Sequence, residues 1–123
     1  MLQKVALGEK TAALDAAWTP RIVAALNGQL VKIARFEGDY VWHQHADEDE
    51  LFLVLAGEVV IALREQPDVV LGPGELLVVP GGVEHRPSSK GGADVLLFEP
   101  ASTRSTGEVE DARTVEADEL TWA

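Results

Sequence analysis

Between residues 21 and 98 the chain is a succession of short apolar runs, each stopped after a few residues by glycine, proline, asparagine or aspartate. Strand-like runs fall at 21–26, 29–36, 40–45, 50–56, 58–64, 69–71, 75–79 and 94–98. The stops include Gly38-Asp39, Ala56-Gly57, Gln66-Pro67-Asp68, Gly72-Pro73-Gly74, Pro80-Gly81-Gly82 and Lys90-Gly91-Gly92. Many short strands with closely spaced turns predict an all-β sandwich or barrel, not a parallel sheet with crossover helices. Asn27-Gly28, between two of the runs, is the dipeptide a type I′ hairpin favours because both central residues need positive φ. The Lys90-Gly91-Gly92 stretch reads as a mobile turn. Helix formers over 8–17 predict a short helical segment ended by Trp18-Thr19-Pro20. Residues 101–123 turn polar and acidic, with Leu120 and Trp122 as possible anchors on the barrel.

The length of 123 residues fits one domain over 1–123, and a hydrophobic fraction of 46% suffices for a real core. With no cysteine, disulfides, thiolate metal ligands and a cysteine nucleophile are excluded. A formal charge of -11 without a basic cluster argues against nucleic acid and anionic lipid as partners. No apolar stretch approaches the roughly 20 residues of a spanning helix, so a cytoplasmic location is expected.

Strand alternation sorts the side chains by face. His43 and His45 share a face with Val41, opposite Trp42 and Gln44. Glu50, Phe52 and Val54 share one face of the next run, leaving Leu51, Leu53 and Leu55 on the other. That second face is equally apolar and must be covered, by the N-terminal hairpin or by a second subunit, so a homodimer is expected.

All three histidines of the chain fall in one constellation, His43-Gln44-His45, then Glu50, then His85. Two histidines at alternate strand positions can converge on one ion. A carboxylate from the neighbouring strand adds an oxygen, and a distant histidine closes one face of the polyhedron. Four such ligands on a six-coordinate ion leave open positions for water or substrate. Neutral imidazole and carboxylate suit one divalent transition metal, Zn, Fe, Mn, Ni or Cu, without choosing among them. In the acidic run Asp47 to Glu50, the first three residues read as a solvated loop, whereas Glu50 opens the apolar strand.

These residues resemble the two motifs of the cupin superfamily. The first is matched by Gly38, His43, His45, Glu50 and Gly57, the second by Gly74, Pro80, Gly82 and His85. The spacing from Gly38 to His43 is one residue short, and Ser89 stands where the pattern usually has asparagine. The wording from Trp18-Thr19-Pro20 through Asp49-Glu50-Leu51-Phe52 to Phe98-Glu99-Pro100 is similar to small single-domain bacterial cupins of the mannose-6-phosphate-isomerase-like group. The resemblance implies a double-stranded β-helix, a jelly-roll barrel, with the metal inside and held by His43, His45, Glu50 and His85.

It implies no particular reaction, and the catalytic residues stay unassigned. The first expectation is a metal-dependent enzyme on a small polar molecule, of isomerase, lyase or dioxygenase type. The alternative is a non-catalytic module that binds a small ligand, its metal structural or ligand-holding. Polar side chains converging on the open metal positions would favour the enzyme, and apolar walls the module. Val41, Phe52 and Val54 are apolar. Arg35, Arg64 and Arg86 are candidates for an acidic substrate, and Tyr40 for a proton donor. Ser88 and Ser89 lie near His85 without a nucleophile-elbow pattern.

Overall fold

The computed structural model describes residues 2–123. Helix α1 (Leu7–Ala12) is followed by strands β1 (Arg21–Leu26), β2 (Gln29–Asp39), β3 (Glu50–Gly57), β4 (Val59–Leu63), β5 (Val69–Leu71), β6 (Leu76–Val79) and β7 (His85–Pro100). A 3-10 turn (Ala117–Glu119) and a short β8 (Thr121–Trp122) close the chain. The strand order is β5-β4-β7-β2-β1-β8, with β3 pairing both β7 and β6. The fold is all-β, a double-stranded β-helix with a short N-terminal helix, as the sequence predicts.

The 16-residue β7 is the spine. Its first part pairs with β4 from His85 to Ser88, its later part with β3 from Ala93 to Phe98, and its other edge with β2. One strand thereby joins both walls of the barrel. The corner lies where Phe36 pairs Ala93 but Gly38 pairs Ser89, so Lys90, Gly91 and Gly92 bulge opposite Glu37. This corrects the expected mobile turn at 90–92, because glycines inside a strand also serve a bulge that bends it. Gly57 packs into this corner at φ +82, and a Cβ there would lie 2.9 Å from the Cα of Ala93 and collide with the Gly92 carbonyl. The hairpin is as expected, with Asn27 at φ 51 and Gly28 at φ 75.

Two other expectations are corrected. Residues 40–45 do not form a strand. Tyr40 N donates to Pro87 O and His43 N to His85 O, a slip of one residue between successive contacts that breaks the ladder and leaves an isolated bridge. The helix is shorter than 8–17 and buries none of its residues. Without an apolar face to pack, a helix of this length has nothing to extend it.

Inward positions supply the core: Ala34 and Phe36 from β2, Phe52 and Val54 from β3, Val59 and Ile61 from β4, Val95 and Leu97 from β7. Outside, Leu51, Leu53 and Leu55 are half-buried, and Leu51 and Leu53 pair with Val78 and Leu76 on one side and Phe98 and Leu96 on the other. Leu76 and Val78 are exposed. The C-terminal segment makes polar contacts with the barrel, from Ser102 to Glu48 and from Arg113 to the Asp39 carbonyl. Leu120 is half-buried, but Trp122 is 59% exposed and is held by the pairing of β8 with β1, not by packing.

Candidate metal centre

His43, His45, Glu50 and His85 meet inside the barrel, their ligand atoms all within 4.8 Å of one another. The sequence constellation is thus one cluster in space. His43 and His85 are neighbours because their backbones exchange hydrogen bonds of 3.0 and 2.9 Å. Glu50 arrives as the first residue of β3, and alternation sends it inward with Phe52 and Val54. Asp47 is exposed, Glu48 accepts from Ser102, and Asp49 accepts from the Gly81 amide at 2.8 Å. Of the acidic run, only Glu50 reaches the cluster.

All four residues are at least 95% buried. His43 Nδ1 lies 2.9 Å from the Val41 carbonyl, and His85 Nδ1 2.9 Å from that of Val83. Each Nδ1 therefore carries the proton and donates it, which leaves Nε2 as a bare acceptor. Burial, then the neighbouring His85, pushes the His43 pKa down to about 4, so it is neutral at pH 7. His85 Nε2 and His45 Nε2 stand 3.3 and 3.4 Å from Glu50 Oε1. Among the described residues, neither ring nitrogen of His45 has a hydrogen-bond partner. A buried imidazole left unpartnered beside two oriented ones and a carboxylate is what a cation would satisfy. This donor set suits a metal ion.

Burial pushes the Glu50 carboxyl up, but contacts with His45, His85 and Glu99 outweigh this and hold it well below the usual range. Glu99 goes the other way, raised by burial and by the charge of Glu50, against the pull of Lys32. Lys32 and Glu99, missed as site residues in the sequence, face each other across β2 and β7 at 2.8 Å. They line one cavity with His43 and Glu50. The signal was legible, since each is a charge at an inward position of an otherwise apolar strand.

That cavity holds about 30 Å³, room for one or two waters, and is walled by Trp18, Phe36, Phe52 and Leu97 on its apolar side. Tyr40 also lines it, stacked on Trp18 at 4.5 Å and edge-on to His43 at 5.4 Å. Burial raises its phenol to about 12, so it keeps its proton. Thr103, Ser105, Val115 and Leu120 of the C-terminal segment close the same cavity.

The three arginines do not enter. Arg35 pairs with Glu37 and Asp94, Arg64 lies 3.8 Å over the Trp42 ring, and Arg86 flanks that ring at 5.5 Å. Ser89 Oγ is buried and donates to the Glu58 carbonyl at 2.7 Å, tying the corner together. Among the described residues no helix is long and apolar enough to cross a membrane.

Known proteins share this fold. A cupin-2 domain protein from Shewanella frigidimarina is 38% identical in its solved structure, with a TM-score of 0.76 over 78% of this chain and 93% of that one. Protein NMB1881 from Neisseria meningitidis is 28% identical, with a TM-score of 0.74 over 80% of this chain and 99% of that one. The uncharacterized protein YdbB of Bacillus subtilis (strain 168) is 40% identical over 67 residues, 54% of this chain. The match spans 59% of that relative's length. The cupin domain family itself matches residues 30–99, from Leu30 in β2 to Glu99 in β7, so the chain belongs to the cupins.

Proposed function

We propose that the protein is a metal-dependent enzyme acting on a small polar molecule, with His43, His45, Glu50 and His85 as ligands of one divalent transition metal. The observation that carries this reading is the cavity. It joins two of the four ligands to Lys32, Glu99 and Tyr40, so polar groups converge beside the cluster in a cavity whose remaining wall is apolar. The ion would supply Lewis acidity at its open positions. The chain's own residues do the rest: Val41 and Val83 orient the histidines through their carbonyls, the aromatic wall excludes water, and Tyr40 holds a proton beside His43. Among similar solved structures are a DMSP lyase, 27% identical over 61% of this chain, and a hydroquinone 1,2-dioxygenase, 21% identical. The second supports the fold alone. Lyase or isomerase chemistry and dioxygenation are the reaction types consistent with this centre.

The alternative, a small-ligand-binding module, draws on the depth of the cluster and the small volume of the cavity. We further infer that residues 1–123 are one folding unit, and that the protein works in the cytoplasm as a homodimer burying the Leu51, Leu53, Leu76 and Val78 face. Elemental analysis of untagged protein beside a His43→Ala, His45→Ala double variant tests the centre. Close to one equivalent of one transition metal is expected, and its loss in the variant. A folded wild type that takes up no added metal overturns the reading. Sedimentation of wild type and Leu53→Glu tests the dimer, which the charge should split.

A further inference from the structure

Beyond the four candidate ligands, the cavity contains a buried ion pair that joins β2 to β7. Lys32 and Glu99 are 2% and 3% exposed, and Nζ stands 2.8 Å from Oε1. Burying two charges costs several kcal/mol each before their attraction repays it, and apolar residues of similar volume usually do as well. The surrounding core, from Phe36 to Leu97, would accept such residues. Each partner is also incompletely satisfied. Lys32 Nζ has three donors, and among the described residues the Glu99 carboxylate is its sole hydrogen-bond partner. Glu99 Oε2 is buried and receives no hydrogen bond from them. The pair thus offers spare donors and a spare acceptor to a cavity that also reaches His43 and Glu50.

We propose that Lys32 and Glu99 form the recognition subsite for a small hydroxycarboxylate, Lys32 donating to a carboxylate oxygen and Glu99 Oε2 accepting from the hydroxyl. This rests on the metal reading above. With a divalent ion in place, Lys32 adds one positive charge, Glu50 removes one, and Glu99 removes one or none. The buried site keeps at least one uncompensated positive charge, which a carboxylate neutralises and a neutral polyol does not. The hydroxyl is needed because a plain carboxylate leaves Glu99 Oε2 without a donor. The cavity has room for one or two waters, so it must widen on binding even for the two-carbon skeleton of glycolate, and larger hydroxycarboxylates are excluded. Arg35, Arg64 and Arg86 lie outside the barrel, so Lys32 is the cation that such a ligand meets.

The test uses zinc-loaded protein with measured metal content, titrated calorimetrically with glycolate, acetate and ethylene glycol. Glycolate should bind about tenfold or more tightly than acetate, the difference expected of one hydrogen bond to a charged acceptor, and ethylene glycol should not bind. Lys32→Met should weaken glycolate by about tenfold or more with zinc content unchanged. Should that single variant fail to fold, the Lys32→Met, Glu99→Leu pair removes both charges while filling the core and should show the same loss. Glycolate binding unaltered in a folded, zinc-loaded variant overturns the subsite and leaves the metal centre standing. Equal binding of ethylene glycol and glycolate does the same. A wild type without zinc overturns the metal centre, and the subsite falls with it.

Discussion

The two ends of the barrel are built from the same strands, yet they serve opposite purposes. On β3 the inward series runs Glu50, Phe52, Val54, on β7 it runs Glu99, Leu97, Val95, and on β2 it runs Lys32, Ala34, Phe36. Each begins with a charge and ends in the packed core. At the apolar end Val54, Val59, Ile61 and Val95 have no exposure at all. At the polar end equally buried groups lack partners, notably His45 and Glu99 Oε2. Burial alone therefore does not separate core from site. What separates them is whether the buried atoms are satisfied, because an unmet polar group costs free energy that a packed methyl does not.

The largest effect should come from making the apolar end resemble the polar one. Val54→Asp puts a charge where no partner exists, and it should abolish the cooperative thermal transition, as judged by circular dichroism. An intact transition would mean that the apolar end tolerates charge, and the comparison would collapse. Next is Phe52→Ala at the boundary, where Phe52 meets Phe36 edge-on at 6.3 Å and the His85 ring at 5.9 Å. Its removal should cost about 3–4 kcal/mol in urea unfolding and should weaken metal uptake by loosening His85.

Alternation made much of this legible from the sequence. It placed Glu50, Phe52 and Val54 together inside and Leu51, Leu53 and Leu55 outside, and it gave the metal cluster its common face. It failed where the ladder breaks. Residues 40–45 alternate like a strand but slip by one against β7, and 90–92 look like a turn because glycines punctuate both turns and bulges. Lys32 and Glu99 were each readable as inward charges, yet only the pairing of Lys32 with Leu97 and of Leu30 with Glu99 brings them to one spot. Register between distant strands is set by tertiary packing, and a single sequence does not display it.

The polar end should also respond to pH. His43 titrates near 4 in the fold against 6.5 for the ordinary side chain. Between these values the unfolded chain binds more protons, so stability of the metal-free protein should be full above pH 6.5 and fall as pH drops towards 4. The loss is of order 2–3 kcal/mol from the size of the shift, measured as urea midpoints at stepped pH. His43→Phe should flatten the dependence. A wild-type profile flat from pH 7 to 4 would show that the imidazole is solvated and the centre open.

The smallest effect tests whether the C-terminal segment belongs to the same cooperative unit as the barrel it covers. Arg113 joins the two through a 2.7 Å bond to the Asp39 carbonyl and a position 5.5 Å from the Tyr40 ring, both near the cavity. Its partly exposed contacts are worth no more than about 1 kcal/mol, so Arg113→Ala should barely move the global unfolding midpoint. Segments held by few apolar contacts open first and locally. Cleavage within residues 101–123 under limited proteolysis should therefore quicken several-fold while the barrel stays intact. If instead the midpoint falls together with faster cleavage throughout the chain, the segment is part of the core's cooperative unit. Access to the polar end would then require the barrel itself to open, not merely its cover.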